Sequence, residues 1–274
     1  MPRDPAGTAY RLEGEGGSDG ARAARAGTPI VLIHGVGLDQ GMWAAQRDAL
    51  APLGPLITYD LLGHGQTPAR PGENSLADFR DQLAKLLTYL SVKHCRLIGF
   101  SMGGLVARAF AANWPARVSA LVVMSSVFAR DAEQRQAVDA RCEALAAGGP
   151  AATLEAALER WFTPGFAAAH PETIETLRRQ LLGNDPEGFL KAYRVFATED
   201  REPDKALARI ACPTLVVTGE DDGNSTPAMA EALAARIPGA RAQVLPGRRH
   251  MMPVEAADEI NAALVAFLED LPAR

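Results

Sequence analysis

Short apolar, β-branched runs alternate along the chain with longer stretches in which apolar residues recur every three or four positions. Pro29–Ile33, Leu56–Asp60, Cys95–Phe100, Val118–Met124, Pro213–Thr218 and Ala242–Leu245 have the length and apolarity of strands buried on both faces. Between them the pattern turns helical. Leu76, Phe79, Leu83, Leu86, Leu87 and Leu90 share one face, with Ser75 and Asp78 placed as an N-terminal cap. A second helix opens at Met102 and must stop before Pro115. A last one follows Pro253 and turns Ala257, Ile260, Leu264, Phe267 and Leu268 inward. Strands separated by helices imply right-handed βαβ units, hence an α/β fold with a mostly parallel sheet flanked by helices.

One long segment breaks the alternation. Between about residues 127 and 210 no strand pattern occurs, only helical ones around Leu154–Trp161, Ile174–Leu182 and Phe189–Phe196. Gly148-Gly149-Pro150, Pro164-Gly165 and Gly183-Asn184 punctuate them. The pattern predicts a helical cap, residues 127–210, inserted into a core made of residues 1–126 and 211–274.

Composition narrows the class of partner. The chain of 274 residues is 47% hydrophobic and 22% charged, a globular profile, and carries a net charge of -5. No basic surplus exists to attract nucleic acid or an anionic membrane. Cys95, Cys142 and Cys212 are odd in number and widely spaced, which favours neither a disulfide framework nor a zinc site. Met1–Gly27 holds no apolar stretch of the kind a leader needs. The longest apolar run, around Leu121–Met124, falls far short of the ~20 residues of a membrane span. A cytoplasmic protein acting on a small molecule is expected.

The chemistry is concentrated in a few loops. Gly99-Phe100-Ser101-Met102-Gly103 follows a strand and opens a helix. In that context the sharp turn forces its central residue into strained geometry and lifts the serine Oγ above the sheet, with flanking glycines making room. The N–H of Met102, at the helix N-terminus, points to the same place. The motif stands with His34-Gly35-Val36-Gly37 after one strand and Asp60-Leu61-Leu62-Gly63-His64-Gly65 after the next. On these three motifs the chain resembles the α/β-hydrolase fold superfamily over nearly its whole length.

That resemblance implies the α/β-hydrolase fold with an inserted helical cap, and a serine hydrolase with a catalytic triad in the chain order Ser–Asp–His. Ser101 is then the nucleophile, and the N–H of Val36 joins that of Met102 as an oxyanion donor. The acid follows the strand after the insertion, where Gly219-Glu220-Asp221-Asp222-Gly223 matches the family's G-x-x-D at Asp222. Asp221, one residue earlier, is the alternative. His250, in the loop before the C-terminal helix, is the base, although Arg248 and Arg249 stand where the family has small residues. His34 and His64 belong to structural turns near the pocket floor, and His94 and His170 read as surface residues. A serine at the elbow sets the chain apart from haloalkane dehalogenases and epoxide hydrolases, which use aspartate there.

The chemistry needs these residue types together. A serine hydroxyl is a weak nucleophile until a base takes its proton, and imidazole can accept that proton and return it to the leaving group. A buried carboxylate fixes the imidazole tautomer and stabilises the imidazolium. No metal-ligand cluster or phosphate loop accompanies them: Gly14-Glu15-Gly16-Gly17 lacks the Lys-Ser/Thr pair of a P-loop. No cofactor is expected, since hydrolysis needs only water.

Substrate choice falls to the cap. Glu159-Arg160-Trp161-Phe162-Thr163-Pro164-Gly165-Phe166 is similar to the cap segment of 3-oxoadipate enol-lactonases. Trp161 then lines the pocket or packs in the cap, and an arginine, Arg160 or Arg130, meets a substrate carboxylate through its planar fork. The expected activity is cleavage of a small, carboxylated ester or lactone through an acyl-enzyme. Alternatives are an amide/C–N or C–C bond hydrolase acting on a small catabolic acid and, more distantly, a non-catalytic ligand-binding receptor on the same fold.

Overall fold

A computed structural model describes residues 1–14, 27–200 and 204–271. The Gly-rich run at 14–17 lies outside these residues apart from Gly14 itself. Seven strands form one sheet: β1 (Tyr10–Glu13), β2 (Ile30–Ile33), β3 (Leu56–Tyr59), β4 (Cys95–Phe100), β5 (Val118–Met124), β6 (Thr214–Gly219) and β7 (Arg241–Leu245). Their order across the sheet is β1-β3-β2-β4-β5-β6-β7. Every neighbouring pair is parallel except β1 with β3, which run antiparallel in the register Tyr10↔Tyr59. β1 is the strand that the apolar runs do not reveal. It is a four-residue edge strand with one apolar face, Tyr10 and Leu12, against polar Arg11 and Glu13.

Alternation along the central strands builds a core on each side of the sheet. Val31, Ile33, Leu97, Leu121, Val123 and Val216 point into one, while Ile30, Leu32, Ile98, Val122, Leu215 and Val217 point into the other. The outer helices cover these faces. α1 (Ala44–Leu50) precedes β3, and α2 (Leu76–Tyr89) follows it; the latter is held by a Ser75/Asp78 capping box and buries Phe79, Leu83, Leu86 and Leu87. α3 (Met102–Asn113) leaves β4 and is nearly all buried.

Helices fill the connection from β5 to β6. They are α4 (Ala132–Gly148), α5 (Leu154–Trp161), α6 (Pro164–Ala169), α7 (Pro171–Leu182), α8 (Pro186–Thr198) and the short α9 (Asp204–Leu207). This insert shares its apolar residues with the sheet cores. Val138, Leu145, Phe189, Val195 and Phe196 join the first core, while Leu154, Leu158, Phe162, Leu177 and Leu181 join the second. α10 (Pro227–Ala234), α11 (Met252–Glu255) and α12 (Ala257–Glu269) complete the fold, and α12 buries Ile260, Leu264, Phe267 and Leu268. Among the described residues no helix is long and apolar enough to cross a membrane.

Candidate active site

The carboxyl ends of the central parallel strands meet beneath the insert. β4 ends at Phe100, and α3 begins at Met102, leaving Ser101 alone at the turn with φ 52° and ψ -116°. A non-glycine residue held there costs on the order of 1–3 kcal/mol, so the surroundings must enforce it. They do so through contact. A Cβ on Gly99 would lie 2.2 Å from the Gly103 carbonyl oxygen, and one on Gly103 would lie 2.1 Å from that of Ile33. The Ser101 N–H donates to Met124 O at 2.8 Å, which fixes the turn against the end of β5.

β6 ends at Gly219 and delivers the acidic turn. Asp222 is buried, whereas Glu220 and Asp221 are exposed. One Asp222 oxygen accepts the backbone N–H groups of Asn224 and Ser225 at 2.9 and 3.0 Å. The other lies 2.8 Å from His250 Nδ1, and His250 Nε2 lies 3.2 Å from Ser101 Oγ. Of the two aspartates left open by the sequence, the geometry joins Asp222 to His250. Asp221 is held instead through its backbone, its N–H donating to Arg248 O at 2.9 Å.

His34 and His64 brace the loop opposite. Leu61 N–H donates to His34 Nε2 at 2.9 Å, and Gly37 N–H donates to His64 Nε2 at 2.9 Å. Their Nδ1 atoms face the carbonyls of Gly35 and Leu62, so each ring carries its proton on Nδ1. Burial pushes both imidazoles down, His64 to about 3, helped by its neighbour His34. They are neutral bridges between the 34–37 loop and the 60–65 turn. Val36 stands on that braced loop and lines the cavity above Ser101. Met102, the first residue of α3, has no intrahelical acceptor for its N–H.

The cavity is a narrow slot with a volume of about 40 Å³. Ser101 and His250 form its floor, and α5 and α8 line it with Arg160, Trp161, Phe189 and Tyr193. The Trp161 ring lies 6.1 Å from that of His250. Arg141, on α4, also lines the slot and donates from Nε to Tyr193 Oη at 3.1 Å. The buried Arg160 Nε–H finds no acceptor among the described residues. Burial, and secondarily the neighbouring Arg141, push the Arg160 guanidinium below the usual arginine range. Two cations facing one slot make it a place of positive potential in a chain of net charge -5.

Arg141 was not legible in the sequence because α4 buries only Val138 and Leu145 and elsewhere mixes alanines with charged and polar residues that mark no face. Its Asp131/Gln134 capping box and the Gly149 stop are the local signals that mark the helix. Arg130, the other arginine expected at the substrate, does not line the slot. Its Nη1 donates to the carbonyls of Phe196 and Ala197, its backbone N–H donates to Asp200 at 2.6 Å, and it helps tie the two ends of the insert together. Buried Asp200 draws it there. The loop arginines are likewise engaged: Arg248 pairs with Glu259, and Arg249 donates to main-chain carbonyls of the insert. Among the described residues no group of three or more His, Cys, Asp or Glu side chains could hold a metal ion.

Residues 30–263 match the model of the family described as "Alpha/beta hydrolase family". The chain is 34% identical to an (E)-2-((N-methylformamido)methylene)succinate hydrolase of Acinetobacter baylyi, over 90% of this chain and 92% of that protein. It is 28% identical to 3-oxoadipate enol-lactonase 2 of the same organism, over 88% of each chain. Among solved structures, the enol-lactonase of Burkholderia xenovorans LB400 superposes with a TM-score of 0.85 at 27% identity, covering 96% of each chain.

Proposed function

Because this chain belongs to the α/β-hydrolase family and is a hydrolase of that fold, we propose that it cleaves a small carboxylated ester or lactone at Ser101 through an acyl-enzyme. The observation that carries the reading is the Ser101–His250–Asp222 hydrogen-bond chain, opening on a narrow slot lined by Arg141 and Arg160.

Each residue then has one task. With Nδ1–H donating to Asp222, the His250 Nε2 lone pair is free to take the Ser101 proton. Ser101 Oγ attacks the acyl carbonyl carbon, and the carbonyl oxygen becomes an oxyanion held by the N–H groups of Val36 and Met102. Loss of one such donor typically costs about 3–4 kcal/mol of barrier. The tetrahedral adduct collapses, the C–O bond to the leaving group breaks, and His250 returns the proton to the departing oxygen. Water then repeats the sequence on the acyl-enzyme, releasing the acid and restoring Ser101. Arg160, with an unpaired Nε–H, and Arg141 grip the substrate carboxylate, and Trp161 forms the wall beside the imidazole. The insert, residues 127–210, acts as the cap that supplies this recognition.

A second reading is favoured by one observation: the relative at 34% identity carries the name of an (E)-2-((N-methylformamido)methylene)succinate hydrolase. The same groups serve an amide, with His250 protonating a departing nitrogen. Kinetics with matched ester and amide derivatives of one small dicarboxylic acid choose between the readings by kcat/KM. The carboxylate itself is tested by comparing a free acid with its methyl ester in wild type and in Arg160→Gln. Removing one partner of a buried carboxylate typically costs about 2–5 kcal/mol, so KM should rise for the acid and hardly move for the methyl ester. Equal effects on both would remove Arg160 from substrate recognition. Negligible turnover of every ester, lactone and amide by folded protein would favour the receptor.

A further inference from the structure

The proposed base is clamped to the proposed substrate-binding helix by the residues on either side of it. α5 ends at Trp161, and the last carbonyls of a helix have no intrahelical partner. In this molecule they are taken by the His250 loop. Arg249 Nη1 donates to Glu159 O at 2.6 Å and to Phe162 O at 2.9 Å, and the Met251 N–H donates to Trp161 O at 2.9 Å. His250 sits between these two donors. A further tie follows within a turn of chain, where Glu255 accepts the Thr163 N–H at 3.0 Å and its hydroxyl at 2.6 Å.

The other side of the same loop is fixed to the acidic turn. Arg248 O accepts the Asp221 N–H at 2.9 Å, and Glu220 accepts the Gly247 N–H at 2.9 Å. A Cβ on Gly219 would lie 2.1 Å from Arg248 O, so the loop lies directly on the end of β6. With the loop pinned at Arg248 and the ring bonded to Asp222 through Nδ1, the placement of His250 relative to α5 is set by Arg249 and Met251. The Met251 bond is main chain to main chain and is common to any side chain there. The Arg249 bonds depend on a side chain long enough to bring one nitrogen with two N–H donors, Nη1, between two carbonyls one helical turn apart.

We propose that Arg249 is a positioning residue: through Glu159 O and Phe162 O it locks α5, and with it Arg160 and Trp161, to His250. This rests on the reading of His250 as the base. The guanidinium keeps its charge when it donates to neutral carbonyls; what these two bonds add is alignment of the imidazole with both Ser101 Oγ and the substrate gripped by Arg160. Displacement of a reacting group by about 1 Å can cost on the order of 10²-fold in rate.

The test compares Arg249→Ala and Arg249→Lys with wild type, using an activated acetate ester and a fluorophosphonate that labels an activated serine. Both readouts are taken per folded molecule, with folding followed by circular dichroism. Arg249→Ala should lower kcat and the rate of Ser101 phosphonylation together by about 10- to 100-fold, with KM within about threefold. Arg249→Lys, with one ammonium able to reach a carbonyl, should recover part of both rates and stay measurably below wild type. A structural role alone would lower the midpoint of unfolding and leave the per-molecule rates unchanged. Arg249→Ala within about twofold of wild type in both rates overturns the proposal. If Arg249→Ala does not fold, Arg249→Gln takes its place. If that also fails, Arg249→Lys must fall measurably below wild type in phosphonylation, and equality with wild type overturns the proposal. Absence of any Ser101 labelling in wild type would instead strike the underlying triad reading, so the two failures are distinguishable.

Discussion

Acid should weaken the fold through the pair of histidines that brace the loop carrying Val36. His64 is buried, bonded as a neutral acceptor to Gly37 N–H, and held down to about 3 against an ordinary 6.5. The unfolded chain takes up a proton below about pH 6.5, while the folded chain refuses it until about pH 3. Above pH 6.5 neither state is protonated and the contribution to stability is constant. Between those limits the unfolded state binds one more proton, so stability falls as pH falls, by about 1.4 kcal/mol per pH unit. From pH 6.5 to 4.5 this amounts to about 2 kcal/mol from His64, a large part of the 5–15 kcal/mol typical of a domain. His34, lowered chiefly by burial, acts with the same sign. The assay is urea unfolding at half-unit steps of pH, in wild type and in His64→Gln, whose amide oxygen can still accept the Gly37 N–H. The variant should lose about one proton's worth of slope, about 1.4 kcal/mol per unit. Identical slopes in the two proteins would refute the neutral-bridge account of His64.

Asp222→Asn should lower kcat by about 10⁴-fold, as expected when the imidazole is left in the wrong tautomer, while Asp221→Asn should leave steady-state kinetics near wild type. A reversed pattern would transfer the role to Asp221. Gly103→Ala puts a methyl against the main chain of β2 and should cost about 3 kcal/mol or more, or prevent folding, read by thermal unfolding. Gly165→Ala, where a Cβ meets nothing within 4 Å in α6, is the control and should be neutral or slightly stabilising.

The readable parts of this protein are those where one local rule decides the outcome. A fully apolar run such as Ile30–Ile33 has to be a buried strand, and Ser101 between β4 and α3 has to sit at a strained turn. Because the sheet places the ends of its parallel strands side by side, the family resemblance and the order of the loops let Ser101, His250 and an acid at Asp222 or Asp221 be read as a set. What was not legible depends on pairing across space. β1 gains its place from its partner β3, to which four short residues give no strong signal. Asp221 and Asp222 are chemically equal in the sequence, and only the turn that buries Asp222 between Asn224 N–H and His250 separates them. Arginines are harder still. Arg130, Arg160 and Arg249 differ by which carbonyl or carboxylate the packing offers: Asp200 draws in Arg130, the end of α5 occupies Arg249, and Arg160 is left facing the slot.

The measurement closest to the central claim is rapid acid quench of the protein during turnover of an activated ester, followed by peptide mass spectrometry. A transient acyl group should appear on the peptide that contains Ser101, at a rate matching the burst of leaving group, and should vanish in Ser101→Ala and become very slow in His250→Ala. An acyl group on any other residue, or full turnover by Ser101→Ala, would contradict the assignment of Ser101 as the nucleophile.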